Sequence, residues 1–381
     1  MTNFIPTYQT YVPEGMIDLG VGNPDFSLLP LDMLHHAAEA CFANNDPSFL
    51  QYGTEQGHGY FRLALAEFLS RGYGFPVDSD DLFVTNGISN GLDAVCTFFT
   101  QPGDTIFVEE PTYFLALRIF RDHDLHLVSI PTDEDGLSVD ALEEKLAELQ
   151  PKFLYTVPTF QNPGGHTLTP ERRDRLVQLS QEHKFIIVAD EVYHFLNYSG
   201  QGIKPFAAYA DLETVISLGS FSKILAPGLR LGWMQAHPDN LKRLTTSGLL
   251  DSGGGLNPFT SAIIRELIEA GDLEKNILNL IATYHSRLRV MDTALRREIP
   301  QAEFTPPEGG FFFWMRLPGV DGGQLREKAR AFEVGLRQGA LFSSQSGMQD
   351  YIRLCYTFYE EEKINEGVQR LGRCLSNYQT K

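Results

Sequence analysis

From about residue 60 to residue 235, short apolar runs alternate with stretches of helical periodicity, and no other feature of the 381-residue chain limits its fold so tightly. LFVTNG, DTIFVEEP, HLVSIP, KFLYTVP, FIIVADEV, TVISLGSF and LRLGWM read as buried strands. Around and between them lie helical stretches: YFRLALAEFLSRGYG, with Phe61, Leu65, Phe68 and Leu69 on one stripe and glycines to stop it, then SNGLDAVCTFFT, SVDALEEKLAELQ and TPERRDRLVQLSQEH. This alternation predicts an α/β fold, a mostly parallel sheet with helices on both faces. After Pro258 the pattern turns helical through SAIIRELIEAG and LEKNILNLIATYHSRLRVMDTALRREI; GGFFFWMRLP and YIRLCYTF then read as strands and EEKINEGVQRLGRCL as a closing helix. We expect a large domain over 46–280 and a smaller α+β domain built from 1–45 with 281–381, a division that the length allows.

The charge balance, 31 basic against 49 acidic residues for a net −18, disfavours nucleic acid or an anionic membrane as a partner. No apolar run approaches the roughly 20 residues that span a bilayer, and MTNFIPTYQTYVPEG has neither a basic start nor an apolar core of a signal peptide. Cys41, Cys96, Cys355 and Cys374 lie far apart with no CxxC pair, which fits a reducing compartment. We expect a soluble, cytoplasmic protein. His35-His36 and His123/His126 lack the accompanying ligands of a metal site, so no metal is expected.

In an open α/β sheet, ligands bind beyond the carboxyl ends of the strands. Polar residues gather at those ends here: Asn86 to Ser89, Tyr113, Asn162, Asp190 with Tyr193, and Ser220 to Lys223. In SFSKILAPGLRLGW, a lysine held where water is scarce has a lowered pKa and attacks carbonyls. Ser220, Ser222 and Arg230 beside it offer hydroxyls and a guanidinium to a phosphate. A lysine in a polar turn is the plain alternative for SxSK alone; Pro227-Gly228, Arg230 and Gly232 at this spacing weigh against it. In VTNGISNGLDAV a helix opens near Ser89, and its free N–H groups suit a phosphate, although many strand-to-helix turns look alike.

Asp190 follows five apolar residues, where a carboxylate needs a partner: a protonated ring nitrogen, a helix start or a salt bridge. Tyr193 either donates to a ligand or packs in the core. Asn162, in QNPGG, either ends a turn or donates to the same ligand, and Tyr113, in VEEPTYF, either stacks on a planar ring or packs in the core. Arg353, inside the apolar strand IRLCYTF, needs an anion, either a substrate carboxylate or a structural partner.

Together these segments resemble the fold-type I pyridoxal-phosphate enzymes, specifically the class I/II aminotransferases, in order from about Asp18 to the C-terminus. The wording of QNPGG and SFSKILAPGLRLGW is most similar to the α-aminoadipate aminotransferase and MocR-like branch; no winged-helix DNA-binding segment precedes it, which favours an enzyme over a transcription factor. The resemblance implies pyridoxal 5'-phosphate on Lys223 as a Schiff base, with Asp190 at the ring nitrogen, Tyr193 and Asn162 at the phenolate oxygen and Tyr113 stacked on the ring. It assigns Gly87, Ile88, Ser89, Ser220, Ser222 and Arg230 to the phosphate, and makes DLGVGNPDF an opening strand whose Gly22 touches substrate. Arg353 and Asn162 would take the α-carboxylate, and Tyr52 would reach the phosphate of a neighbouring subunit in a homodimer. The implied activity is ping-pong transamination between an L-amino acid and a 2-oxo acid, with Lys223 as proton shuttle. A lyase on the same scaffold (C–S β-elimination or decarboxylation) and a non-catalytic cofactor-binding sensor stand as alternatives. The loop SGLLDSGGGLNPF offers no cation for a second carboxylate, and aromatic or aliphatic substrates both suit a pocket near Tyr113 and GGFFFWM.

Overall fold

The computed structural model describes residues 9–378; the start of the chain, read above for a leader and as the first part of the smaller domain, lies outside the described residues up to position 8. In chain order the first elements are β1 (Ile17–Asp18), α1 (Leu31–Ala43), α2 (Gly59–Tyr73), β2 (Leu82–Thr85), α3 (Ile88–Phe99), β3 (Thr105–Glu110), α4 (Phe114–Asp122), β4 (His126–Asp133) and β5 (Gly136–Leu137). Then come α5 (Val139–Glu148), β6 (Phe153–Thr156), α6 (Pro170–His183), β7 (Ile186–Asp190), β8 (Val215–Ser220), β9 (Gly232–Ala236), α7 (Pro238–Thr245), α8 (Gly248–Gly253) and α9 (Pro258–Glu269). The rest is α10 (Asp272–Glu298), β10 (Phe312–Arg316), α11 (Gly322–Ala329), β11 (Val334–Gly335), β12 (Arg337–Gln338), β13 (Tyr351–Cys355) and α12 (Glu361–Tyr378).

All the strands read from 82 to 236 join one eight-stranded sheet, in the order β2-β9-β8-β7-β6-β3-β4-β5. The pairs from β8 through β7, β6 and β3 to β4 are parallel, whereas β9 runs antiparallel to both β8 and β2. Two reversals cancel, so β2 points the same way as β8. The carboxyl ends of β2, β3, β6, β7 and β8 therefore share one edge. Alternate residues enter opposite cores: Val108, Tyr155, Val188 and Ile216 lie in one apolar cluster, Phe107, Leu154, Ile187 and Val215 in the other. That is the period-2 geometry of strands covered on both faces.

One glycine is fixed by this packing. Gly219 in β8 pairs with Trp233 in β9, and a methyl group on Gly219 would sit 2.0 Å from the indole. Trp233 is 2% exposed, so alanine at 219 displaces the ring beneath the turn that carries Lys223; overpacking of this kind costs roughly 1–3 kcal/mol.

The tail forms a separate antiparallel sheet, β10-β13-β12, and β1 pairs in parallel with β11 through Ile17 and Val334. β1 of the N-terminal segment thus pairs with the tail, whereas α1 packs on α9, where Cys41, Phe49 and Ala262 form a small apolar cluster. Position 280/281 falls inside α10, a 27-residue helix that runs unbroken from one region to the other.

Of the expected opening strand DLGVGNPDF only Asp18 lies in a sheet, as the second residue of β1 (Ile17–Asp18). The Asp18 and Asp25 carboxylates accept from the Gly20 and Ser27 N–H groups, and such local bonds compete with strand pairing. Helix α4 was not anticipated; it starts at Tyr113 with no side-chain cap to announce it. Among the described residues, no helix is long and apolar enough to cross a membrane.

Candidate active site

Strand β8 ends at Ser220, and the turn after it carries Lys223. The Lys223 Nζ donates to the Gly22 carbonyl at 2.9 Å and lies 5.0 Å from the centre of the Phe311 ring. Burial among such groups lowers its pKa to about 8. The turn is braced from α10, where the buried Asn276 amide donates to the Ile224 carbonyl at 2.8 Å.

Asp190 closes β7 and is 3% exposed. Its Oδ2 accepts from the Tyr155 hydroxyl at 2.9 Å, and its Oδ1 accepts from the Val192 N–H at 3.3 Å. Burial outweighs both bonds and pushes its pKa up to about 6. Neither partner is a cation. Tyr155 went unnoticed in the sequence; its signal was a phenol inside the apolar run of β6, the strand directly beside β7. Tyr193, three positions after Asp190, is buried with its ring centre 5.4 Å from that of Phe311 and 6.0 Å from that of Phe312. Tyr113 follows β3 and stands at the residue before α4. Burial first, and the Asp190 carboxylate second, push its hydroxyl up to about 12, which puts that ring within electrostatic reach of Asp190.

Helix α3 begins after Gly87, whose φ of +82° favours glycine. Among the described residues no side chain caps it, which leaves the first-turn N–H groups, those of Ile88 and Ser89 among them, without a side-chain cap there. Arg230 closes on this point: its Nη2 donates to the Asn86 carbonyl at 3.1 Å, and a Cβ on Gly87 would lie 2.9 Å from that nitrogen. Gly232 brings the strands together there, since a Cβ on it would meet the Gly87 Cα at 3.0 Å. Ser220 pairs with Gly232 across β8 and β9, and its hydroxyl donates to the Ser222 hydroxyl at 3.0 Å. The predicted phosphate-side residues are thus brought to one place by three adjacent strands.

Arg353 lies in β13 and is 3% exposed. Its Nη1 donates to Asn162 Oδ1 at 2.8 Å and its Nη2 to the Gly20 carbonyl at 3.0 Å; its buried Nε has no partner among the described residues. The guanidinium carbon is 3.9 Å from the centre of the Phe312 ring and 4.9 Å from that of Phe342. Burial lowers its pKa to about 10. A Cβ on Gly22 would meet Phe312 at 3.0 Å and Arg353 at 3.3 Å, so only a glycine leaves this face open. Asn162 is held through its neighbour Gln161, whose amide donates to Glu109 (3.0 Å) and to the Pro111 carbonyl (2.7 Å) and accepts from the Gly164 N–H (2.6 Å). Gln161 and Glu109 are hard to single out from sequence; their one signal is a glutamate at the end of an apolar strand.

Tyr52 is the exception among the expected residues. It stands 82% exposed, in the turn whose Gly53 carbonyl accepts from the Gly255 N–H at 3.2 Å.

Residues 14–371 match the family described as aminotransferase class I and II. Aromatic-amino-acid aminotransferase 1 of Thermococcus litoralis is 39% identical over 369 residues, covering 94% of this chain and 88% of that protein. The 2-aminoadipate transaminase of Thermus thermophilus is 34% identical over 370 residues, covering 95% and 90%. A solved kynurenine aminotransferase of Pyrococcus horikoshii, in complex with PMP, KYN as substrates and KYA as products, superposes with a TM-score of 0.90 at 35% identity, covering 96% of this chain and 92% of that one.

Proposed function

The chain belongs to the class I and II aminotransferases and is a pyridoxal-phosphate-dependent transaminase acting on amino acids and 2-oxo acids, and from that premise we propose how its own residues do the work. The donor set fits the cofactor. Among the described residues, Asp190 is a buried carboxylate in no ion pair, and the Arg353 Nε is a buried donor with no acceptor.

When bound, pyridoxal phosphate supplies an aldehyde that takes up the amino group and a ring that draws electrons from the substrate α-carbon. In our reading Lys223 tethers it. Asp190 faces its ring nitrogen and holds a proton there. Asn162 Oδ1 must face Arg353, because a guanidinium only donates, so the Nδ2 is left to donate to the cofactor's phenolate oxygen alongside the Tyr193 hydroxyl. Tyr113 stacks on the ring. The phosphate falls to Ser220, Ser222, Arg230 and the turn of Gly87, Ile88 and Ser89, where the start of α3 adds its dipole.

The substrate carboxylate docks on Arg353 beside Asn162 and Gly22. The Lys223 amine, whose pKa near 8 suits proton transfer at neutral pH, takes the proton from the substrate α-carbon and returns it to the cofactor side. The observation that carries this reading is the convergence of a depressed lysine and a buried carboxylate at one edge of the main sheet with an anion-hungry arginine that β13 of the tail sheet brings against it.

We take the substrates to be L-amino acids with aromatic or large apolar side chains. The aromatic surroundings of Arg353 support this, as do relatives named for aromatic amino acids and kynurenine. We further propose a cytoplasmic homodimer of two-lobed subunits, divided near 46–280 against 1–45 with 281–381, that binds no nucleic acid. The exposed Tyr52 and the half-exposed Phe42 and Phe259 support a partner copy on that face, and the net charge of −18 opposes nucleic acid.

The test is to supply phenylalanine with 2-oxoglutarate and look for phenylpyruvate and glutamate in equal amounts. Pyruvate, ammonia and a thiol released from an S-substituted cysteine with no oxo-acid acceptor present would instead mark a C–S lyase.

A further inference from the structure

Lys223 and Arg353 both rest on one short turn, at the carbonyls of Gly22 and Gly20. What holds the turn therefore bears on both side chains. At its start the Asp18 carboxylate binds the Gly20 N–H and pairs with Arg337 at 3.2 Å, and the Leu19 carbonyl accepts from the Cys355 N–H at 2.6 Å. At its end stands a buried ion pair that the transamination reading does not use: Arg287 Nη2 to Asp25 Oδ2 at 2.7 Å, with side chains 6% and 13% exposed.

The rest of this pair is committed to the same locality. Arg287 Nη1 donates to the Thr357 carbonyl at 2.8 Å, and the Thr357 hydroxyl donates to the Asn23 carbonyl at 3.2 Å. Asp25 Oδ1 accepts from the Ser27 N–H at 2.9 Å, which turns the chain away from the site. Arg287 thus ties three parts together: the end of the Gly20–Asn23 turn, the segment just beyond the strand that carries Arg353, and α10. Eleven residues earlier on α10, roughly 16 Å along the axis, Asn276 braces the lysine turn.

We propose that Asp25 and Arg287 are positioning residues: their ion pair fixes the Gly20–Asn23 turn, and through it the presentation of Arg353 to the substrate carboxylate. The proposal rests on Arg353 being the carboxylate anchor. A buried pair is a poor choice for stability alone, since neutral side chains of similar volume often serve as well or better. Its arrangement here, with Asp25 two residues past the turn and Arg287 bonded to the Thr357 carbonyl just beyond β13, supplies geometry that neutral side chains lack.

The experiment is calorimetric titration of the cofactor-loaded protein with 3-phenylpropanoate, an aromatic carboxylate without an amino group, alongside thermal unfolding. Asp25→Asn and Arg287→Met each strand a buried partner and lower the Tm. The double variant Asp25→Asn/Arg287→Met removes both charges and recovers most of the Tm, so the decisive reading is made on it. Positioning predicts that its Kd for 3-phenylpropanoate is still weakened, by about tenfold, with KM for the amino donor raised likewise and kcat changed much less. A Kd within about twofold of wild type, with the Tm recovered, would overturn the proposal and leave the pair a structural brace. Arg353→Gln is the control: if it leaves the Kd unchanged, the anchor reading itself fails, whereas loss of binding there with none in the double variant sinks only the positioning role.

Discussion

Arg353 and Asn162, 191 positions apart, are joined at 2.8 Å from Nη1 to Oδ1. The asparagine hangs from the turn beyond β6 of the main sheet and the arginine from β13 of the tail sheet. Their bond makes one carboxylate-binding surface from two regions of the chain. It also fixes the asparagine's orientation, which sends the Nδ2 donors the other way. The guanidinium, 3.9 Å from the centre of the Phe312 ring and 4.9 Å from that of Phe342, cannot turn aside without losing these contacts.

Replacing Arg353 with glutamine should raise KM for an amino donor by about two orders of magnitude, because a desolvated bidentate partner of a carboxylate contributes roughly 2–5 kcal/mol. Lysine should recover only part of this, since a point charge cannot serve Asn162, the Gly20 carbonyl and a substrate together. Steady-state KM values for the three proteins check it. Equal KM values for wild type and Arg353→Gln would remove Arg353 from substrate binding.

Lys223→Ala should abolish borohydride fixation of the cofactor and lower turnover by at least about 10²-fold, the smaller end of what a positioned acid–base group supplies. Peptide mapping of the reduced wild-type protein should place the cofactor label on the segment containing Lys223. A variant that keeps both the label and the wild-type rate would disprove the tether.

Much of this was legible in the sequence because the informative side chains sit where a strand stops. Asp190, Ser220 and Lys223 each follow an apolar run, so both strand and site were written in the same few letters. What stayed hidden depends on contacts between distant segments. Nothing in the sequence near Asp25 announces Arg287, 262 positions away, and Tyr155 reveals its partner only once β6 and β7 are known to be neighbours. The opening strand was overread for a local reason: Asp18 and Asp25 bind backbone N–H groups beside them, which no count of apolar residues registers.

Asp190 should leave a pH signature in the cofactor-free protein. Burial raises its folded pKa from 3.8 to about 6, so the folded state holds a proton that the unfolded chain has released. The associated stability is complete below about pH 4 and is lost as the pH rises through about 6, a change of at most about 3 kcal/mol. Asp190→Asn lacks the titration. The difference in unfolding free energy between wild type and this variant, measured in urea at pH 4 and at pH 7, should shrink or turn against the wild type at the higher pH. Adding pyridoxal phosphate gives the carboxylate a cationic partner and should flatten the trend. A difference independent of pH in the cofactor-free protein would show that Asp190 is not shifted.

Tyr52, 82% exposed, completes a site only if it belongs to another subunit's, and subunit mixing tests this. Tyr52→Ala should weaken cofactor binding, and Lys223→Ala should be inactive. A mixed dimer holds one site with Lys223 from the first variant and Tyr52 from the second, and one site with neither. If subunits exchange freely, half of the dimers are mixed and half of their sites are whole, so activity at low cofactor should climb to about a quarter of wild type, as two-fold symmetry requires. Activity should follow the mixing ratio and peak at equal amounts. The mixture can do no better than the average of its parents if each subunit builds its site alone, and that result would remove both Tyr52 and the shared site from the proposed function.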